Sequence, residues 1–310
     1  MENPIDIVYV LGTGSKWSDN EIRFSLRSVE KYLKGIGNIY IVGAKPDFLQ
    51  NVIHVPAVDV FDPAINADGN MTHKILLACA IPELSDNFLF MNDDFVVLKP
   101  MVAAEIPWLH KGDMKDRPEP YWKEQFYRHR LRRTFETLRD RMQTTLQYDY
   151  HAPMLMNKND FRKVMEQYDY AEGIGLTFRS IYGNAMQLPA EHLTAQKKTI
   201  YKNYTYSELV RLTETAQFLG YNDQGLNRAF IYWLWKSFPE KSGFETNNIQ
   251  DRTIEIATWL EGDRDFTEGV KVFKKYLHGV NLIRMFESGE TPTLCKKLEY
   301  KLERTMDDLK

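Results

Sequence analysis

A chain of 310 residues, 43% hydrophobic and 27% charged, carries enough apolar material for one large core or two ordinary ones. Its net charge of −3 gives no overall drive toward nucleic acid or a membrane surface. The two cysteines, Cys79 and Cys295, lie far apart without a C-x-x-C pattern, which argues against a disulfide framework or zinc site and for a reduced setting. No stretch approaches the roughly 18 apolar residues of a membrane helix, and Met1-Glu-Asn-Pro-Ile-Asp6 does not read as a leader. The expected location is cytoplasmic.

Ile5 to Leu11 is a β-branched run and the first expected strand. It enters Gly12-Thr13-Gly14-Ser15, whose backbone N–H groups could wrap a phosphate. The fuller G-x-G-x-x-G fingerprint is missing because residue 17 is Trp, so the glycines Gly12 and Gly14 also suit a plain turn. Ser18 to Glu21 has capping-box spacing and opens a helix whose core face is Ile22, Leu26, Val29 and Leu33. Glu21, Arg23 and Arg27 lie elsewhere on it, either solvated or reaching a phosphate. Asn38–Gly43 and Val52–Val55 read as the next strands, and the β-α-β alternation predicts a mostly parallel sheet flanked by helices. Residues 56–72, dense in Asp, Asn and Gly, read as an irregular loop. A helix is expected over 73–80, with Lys74 placed to meet a diphosphate or to stay at the surface. His54 and His73 read as structural.

The organising stretch is Asn87-Phe-Leu-Phe-Met-Asn-Asp-Asp-Phe-Val-Val-Leu-Lys-Pro100. Its apolar runs read as buried strand, interrupted by Asn92, Asp93 and Asp94. Ligands of open α/β sheets collect at the carboxyl ends of such strands. Paired carboxylates there suit a divalent cation bridging phosphates, so the residues point to a metal-assisted transferase acting on a phosphorylated donor.

Residues 107–147 break the α/β rhythm as a basic helical insertion. From Lys111 to Arg141 there are ten Lys/Arg against six Asp/Glu. A helix is expected from Glu119 to Gln147 with Phe126, Leu131, Phe135, Leu138 and Met142 as its apolar stripe. Its charges are either a solvated face or an acceptor-binding surface, and the patch Arg128–Arg133 leaves nucleic-acid binding, or DNA as a sugar acceptor, as alternatives not favoured. His151 precedes Ala152-Pro153 and so sits in a turn or extended segment. A helix follows from Asn157 to Tyr168. Leu188–Tyr206 reads as a polar loop in which Lys197, Lys198 and Lys202 could meet anions. Asn222-Asp223 would cap a helix from Leu226 to Trp235. Beyond residue 250 the pattern turns helical, giving an expected core domain 1–250 and a helical appendage 251–310 suited to packing or self-association.

Several segments in order resemble the Stealth proteins, a family of sugar-phosphate transferases. They are Ile5-Asp-Ile-Val-Tyr9, then Asp19-Asn-Glu-Ile-Arg-Phe-Ser-Leu-Arg-Ser-Val-Glu-Lys-Tyr32, Ile39-Tyr-Ile-Val-Gly43 and Leu84-Ser-Asp-Asn-Phe-Leu-Phe-Met-Asn-Asp-Asp-Phe95. His151-Ala-Pro153 and Tyr221-Asn-Asp223 are shorter matches. The sequence Tyr9-Val-Leu-Gly-Thr-Gly14 departs from the family's usual first region, so the broader glycosyl-transfer expectation leads and sugar-1-phosphate transfer is the alternative.

The resemblance implies a Rossmann-like, GT-A-type core using a nucleotide-sugar donor, with a UDP-sugar the expected form. On that reading Asp93 and Asp94 hold Mn²⁺ or Mg²⁺, while Gly12, Gly14, Arg23 or Arg27, Lys74 and Asn92 face the donor. Asp94 takes a catalytic part, and His151 or Asp223 orients or deprotonates the hydroxyl of a saccharide or other acceptor.

Overall fold

A computed structural model describes residues 4–123, 126–251 and 253–254. The chain divides into two units. The first holds residues up to Lys198 with Ala216–Gly220 and Lys241–Asn247; the second holds Thr199–Thr215, Tyr221–Glu240 and the residues from Asn248. The helical appendage expected over 251–310 lies outside the described residues but for 251 and 253–254, and Cys295 lies outside them too.

The first unit is a mixed α/β unit built on a five-stranded, mostly parallel sheet. Its strands are β1 (Ile5–Leu11), β2 (Ile36–Gly43), β3 (Ile53–Val55) and β4 (Asn87–Met91), joined after the short β5 (Phe95–Val97) by β6 (Met154–Asn157). They lie in the order β3-β2-β1-β4-β6, with β6 antiparallel to β4 and the rest parallel. The central β1 is buried almost throughout, as a strand with neighbours on both sides demands. Asp6 fastens the amino end of the sheet, accepting from the backbone N of Asn38 at 2.6 Å and of Ser85 at 2.8 Å. A smaller sheet pairs β5 antiparallel with β8 (Phe218–Tyr221), beside which lies β7 (Lys197–Ile200).

Helix α1 (Asn20–Tyr32) buries Ile22, Leu26 and Val29 as its apolar spacing predicts. Its start differs from expectation. Asp19 takes a left-handed conformation with no side-chain cap, and Ser15 does the work instead. The Ser15 hydroxyl accepts from the backbone N of Trp17 at 3.1 Å and Asp19 at 2.8 Å, and donates to Glu21 at 2.9 Å. A lost cap costs about 1 kcal/mol, whereas burying each of the three aliphatic side chains contributes about 1.5–3 kcal/mol. Packing decides the helix.

The expected loop over 56–72 is largely helical, because α2 runs from Pro63 to Cys79. Asp62 caps its first turn and Pro63 fills the first helical position, a start signal that the Asn/Asp/Gly density obscured. The helix kinks at Asn66 and packs on β1 and β2.

The long helix expected over 119–147 is instead a 3-10 turn at Glu119–Lys123 and α3 (Phe126–Asp140). Leu131 and Leu138 are buried, but Phe126 and Met142 are exposed, so the stripe is shorter than predicted. Asn157 caps α4 (Lys158–Met165) as expected, and α5 (Phe178–Ala185) packs against α4. The polar stretch 188–206 contains the short strand Glu191–His192 and all of β7.

Within the second unit, α6 (Tyr206–Thr213) begins with a capping box made by Thr205 and Glu208, and packs against α7 (Arg228–Ser237). The cap of α7 is Asn227, not Asn222-Asp223. Asn222 closes a turn on Gly225, whose backbone N it accepts at 3.1 Å.

Candidate active site

The parallel pairing of β1 with β4 aligns Tyr9 with Met91, so both chains leave the sheet at neighbouring carboxyl ends. One leads into the exposed glycines Gly12 and Gly14; the other turns through Asn92, Asp93 and Asp94. This is where the first unit gathers its unusual charges.

Asp94 Oδ1 is buried and has no hydrogen-bond partner among the described residues. Burial, then the adjacent Asp94, then Glu21 push the Asp93 carboxyl well above the ordinary range. Burial also raises Asp94, with Lys197 and Arg179 pulling the other way. The charges of Asp93 and Asp94 thus act together, and that of Glu21, whose carboxylate is held by Ser15, reaches both. Below them Tyr9 shares a hydrogen bond with Ser25 at 2.8 Å and is buried beside Asp93.

The opposing positive charge comes chiefly from Arg179 on α5, which has no motif to announce it. Its guanidinium is buried and donates to Asn92 Oδ1 and to the Ala152 carbonyl, each at 3.3 Å. It lies 5.0 Å from the ring centre of Phe90 and 5.2 Å from that of Phe95. Among the described residues no carboxylate sits within ion-pair distance of it. Lys197, at the start of β7, is also buried; burial and the charge of Lys111 bring its pKa down to about 7 against the opposing pull of Asp94.

His151 stands in a left-handed backbone conformation, φ 50°, at the entry to β6. Its edge faces Phe95 with ring centres 6.3 Å apart. It keeps open surface, although the protein around it still acts on its charge. Burial, followed by the charges of Arg179, Lys111 and Lys197, holds its pKa well below the usual histidine value, so the ring is neutral near pH 7. Gly220 permits this approach, because a Cβ there would stand 3.2 Å from the His151 carbonyl oxygen.

Other expected site residues are placed differently. Arg23 and Arg27 are committed to the wholly buried Glu245: Arg23 Nη1 donates to it at 2.7 Å and Arg27 Nε at 2.8 Å. Arg23 is further tied to Asn247 and Asn20 and stacked 3.4 Å from the Phe48 ring centre. A local sequence pattern could not reveal a partner more than two hundred positions away. These arginines fasten the segment 241–247 to α1.

Lys74 does reach the carboxyl ends of β1 and β2, but its ammonium donates to the Leu11 carbonyl at 3.0 Å and pairs with Asp59 at 2.7 Å. Gly43 makes room there, since a Cβ would fall 2.1 Å from the Leu11 oxygen. Lys74 thus shapes the loop after β1. Asp223 belongs to the second unit, in the turn that follows β8.

The basic stretch of α3 is internally engaged. Arg130 pairs with the buried Asp68, Arg132 with Glu119 and Glu136, and Arg133 with Glu172, while Arg128 lies 4.3 Å from the Tyr121 ring centre. Each of these four arginines therefore has a partner within the chain.

No family model matches the chain, and no curated protein matches it. The Stealth resemblance therefore rests on the quoted motifs alone. Several solved glycosyltransferase structures share features of the fold at low identity. The bifunctional glycosyltransferase WbbM is 9% identical, with a TM-score of 0.41 over 78% of this chain, which spans 50% of that protein's length. An active-site mutant of LgtC is 12% identical, TM-score 0.44, covering 77% of this chain and 98% of that one. Mouse xyloside xylosyltransferase 1 is 11% identical, TM-score 0.37, covering 72% and 98%. Among the described residues no helix is long and apolar enough to cross a membrane.

Proposed function

We propose that this chain is a metal-dependent glycosyltransferase that moves a sugar from a nucleotide-sugar donor to an acceptor hydroxyl. One observation carries the reading: at the carboxyl end of β4 the buried Asp94 Oδ1, without a hydrogen-bond partner among the described residues, lies beside a second carboxylate, near a buried Arg179 whose hydrogen bonds among those residues go to neutral oxygens. Carboxylates on one side and cations on the other are what a cation–diphosphate pair would neutralise together.

Asp93 and Asp94 would hold Mn²⁺ or Mg²⁺. Among the described residues no three His, Cys, Asp or Glu side chains gather as a metal site. A hard cation commonly takes one or two carboxylates and completes its shell with phosphate oxygens and water. When bound, such a cation would supply Lewis acidity toward the departing nucleotide.

In this reading Arg179 and Lys197 take the donor phosphates, and Asn92 keeps the guanidinium in place. The loop holding Gly12 and Gly14 lies beside the donor, shaped by Lys74. His151, kept neutral by its cationic neighbours, accepts the proton of the acceptor hydroxyl. Arg23, Arg27 and Asp223 are given no part.

The test is a melting-temperature panel of nucleotide sugars with and without Mn²⁺, followed by product analysis. A bound donor should raise the midpoint by mass action, and the effect should disappear in Asp94→Asn. Release of a nucleoside diphosphate supports glycosyl transfer, whereas a monophosphate would indicate sugar-1-phosphate transfer. No response to any donor would remove the enzyme reading.

A further inference from the structure

Helix α5 does more than carry Arg179. The extended chain from Leu146 to His151 bonds the stretch after Leu109–His110 on one edge: Lys111 N donates to the Gln147 carbonyl at 2.8 Å, and Gln147 N to the Gly112 carbonyl at 2.9 Å. On its other edge, side chains of α5 take the backbone groups. Asn184 Oδ1 accepts from Leu146 N at 2.8 Å, and its Nδ2 donates to the Leu146 carbonyl at 2.7 Å. Ser180 Oγ accepts from Tyr148 N at 3.0 Å and donates to Asp149 Oδ2 at 2.5 Å. Ser180, Gly183 and Asn184 share one helix face, and a Cβ at Gly183 would stand 2.6 Å from the Tyr148 ring. Past His151, Arg179 Nη1 donates to the Ala152 carbonyl at 3.3 Å. Buried backbone groups need partners, which accounts for Asn184 and for the bond from Tyr148 to Ser180. It does not account for the carboxylate of Asp149, which is buried at a cost.

We propose that Asp149 and Ser180 are positioning residues: their hydrogen bond fixes the segment ending in His151 against the helical turn that carries Arg179. The inference rests on the transferase reading above and extends it to what sets the spacing between proton acceptor and donor phosphates. His151 has φ 50°, a left-handed conformation that a residue other than glycine keeps only where its surroundings over-determine it. The bonds on either side of it do so, Asp149 to Ser180 before and Ala152 to Arg179 after. Both anchors lie at the first turn of α5, so the histidine and the arginine share one rigid support. Such a support matters because a misplacement of about 1 Å between reacting groups can cost on the order of 100-fold in rate. Asp149 and Ser180 are themselves buried and act through these two neighbours.

The experiment follows the His151 ring by NMR in the full chain and in its Ser180→Ala, Asp149→Leu and Asp149→Asn variants, with His151→Gln to assign the signal. UDP with Mn²⁺ is titrated into each by calorimetry. In Ser180→Ala and Asp149→Leu the ring resonances should move, because the ring of Phe95, 6.3 Å away between centres, no longer faces His151 in the same way. The titration midpoint of His151 should rise toward the ordinary histidine value as the segment drifts from Arg179. Asp149→Asn, whose amide oxygen still accepts from Ser180, should keep both close to the parent. Loss of charge alone predicts the opposite sign, since removing a nearby carboxylate disfavours the imidazolium and lowers the midpoint. UDP with Mn²⁺ should bind the parent and the three variants within about twofold, the scatter expected of independent sites, because Arg179 keeps its bond to Asn92. Ser180→Ala, the smallest change, carries the test where Asp149→Leu does not fold. An unmoved His151 in Ser180→Ala, with UDP binding intact, overturns the positioning alone. So does an equal response in Asp149→Asn and Asp149→Leu, which would make the charge rather than the hydrogen bond decisive. A parent chain without UDP affinity overturns the transferase reading and with it the catalytic meaning of the spacing.

Discussion

Arg179 donates to Asn92 Oδ1 at 3.3 Å across 87 positions of chain, and this contact ties α5 to the acidic turn after β4. The guanidinium is buried among Phe90, Phe95 and Phe178, and among the described residues no carboxylate lies within ion-pair distance, although the charges of Asp149, Asp68 and Asp94 reach it. Truncating a buried charge without a close ion pair should leave stability nearly unchanged. Its loss should appear in ligand binding instead. Arg179→Met is expected to lower affinity for a nucleoside diphosphate by roughly 10- to 100-fold, the range for one charge-assisted hydrogen bond. Arg179→Lys should not restore it, because an ammonium cannot reproduce the planar fork. Calorimetric titration with UDP, alongside a urea melt of each variant, separates these effects; a large fall in stability with unchanged affinity would refute the assignment.

The acidic pair makes cation binding pH-dependent. Burial and mutual repulsion raise the Asp93 and Asp94 carboxyls, so the folded chain holds protons that the unfolded chain has released. A carboxyl raised on folding contributes stability at low pH, and that contribution is lost as pH climbs from the ordinary carboxylate value through the raised one. A divalent cation competes with those protons. Mn²⁺ should therefore raise the melting temperature more at pH 8 than at pH 5, and Asp94→Asn should flatten the difference. Equal stabilisation at both pH values would count against these ligands.

Lys197 gives a slope of the opposite sign. Burial, helped by Lys111, brings its pKa to about 7, below the ordinary lysine value. Between about 7 and that ordinary value the unfolded chain binds the extra proton, so this residue's contribution makes stability rise with pH over that window. In Lys197→Met the rise should be smaller. Thermal melts across the window, in buffer without phosphate, measure it.

Glu245 is the structural counterpart of these functional charges. Burial by itself would raise its carboxyl, but the hydrogen bonds and charge of Arg27, with those of Arg23, bring it below the usual range. Its stabilising contribution is present above the unfolded-state value and disappears as pH falls through the folded one. Glu245→Ala strands two buried guanidinium groups and should cost about 3–5 kcal/mol, read as a lower urea midpoint. Donor affinity in the surviving folded fraction should be unchanged. A variant with parental stability would mean that the two arginines find other partners.

Local pattern made some of this legible before any coordinates. The apolar runs flanking Asn92-Asp93-Asp94 became β4 and β5, and Ile5–Leu11 became the central strand, because alternation and β-branching are read within a few residues. Asn157 capped α4 as its side-chain chemistry predicts. The misread residues were those whose partners lie far along the chain. Arg23 and Arg27 looked available because Glu245 is invisible from α1, and Arg128 to Arg133 looked free because Asp68, Glu119 and Glu172 come from other segments. Arg179 was overlooked for the converse reason: one cation among the eight residues of α5 has no local signature, and only its burial without a close ion pair makes it conspicuous.

The clamp of Glu245 on Arg27 spans 218 positions, which gives the molecule a schedule as well as a bond. A ribosome adding about 5–20 residues per second would deliver Glu245 roughly 10–45 s after Arg27. Throughout that interval the nascent first helix carries two cations for which its interior has as yet no acid. Burial of the two guanidinium groups must then wait until the first unit is nearly complete, and a chain cut short before residue 245 should leave that helix more open to proteases.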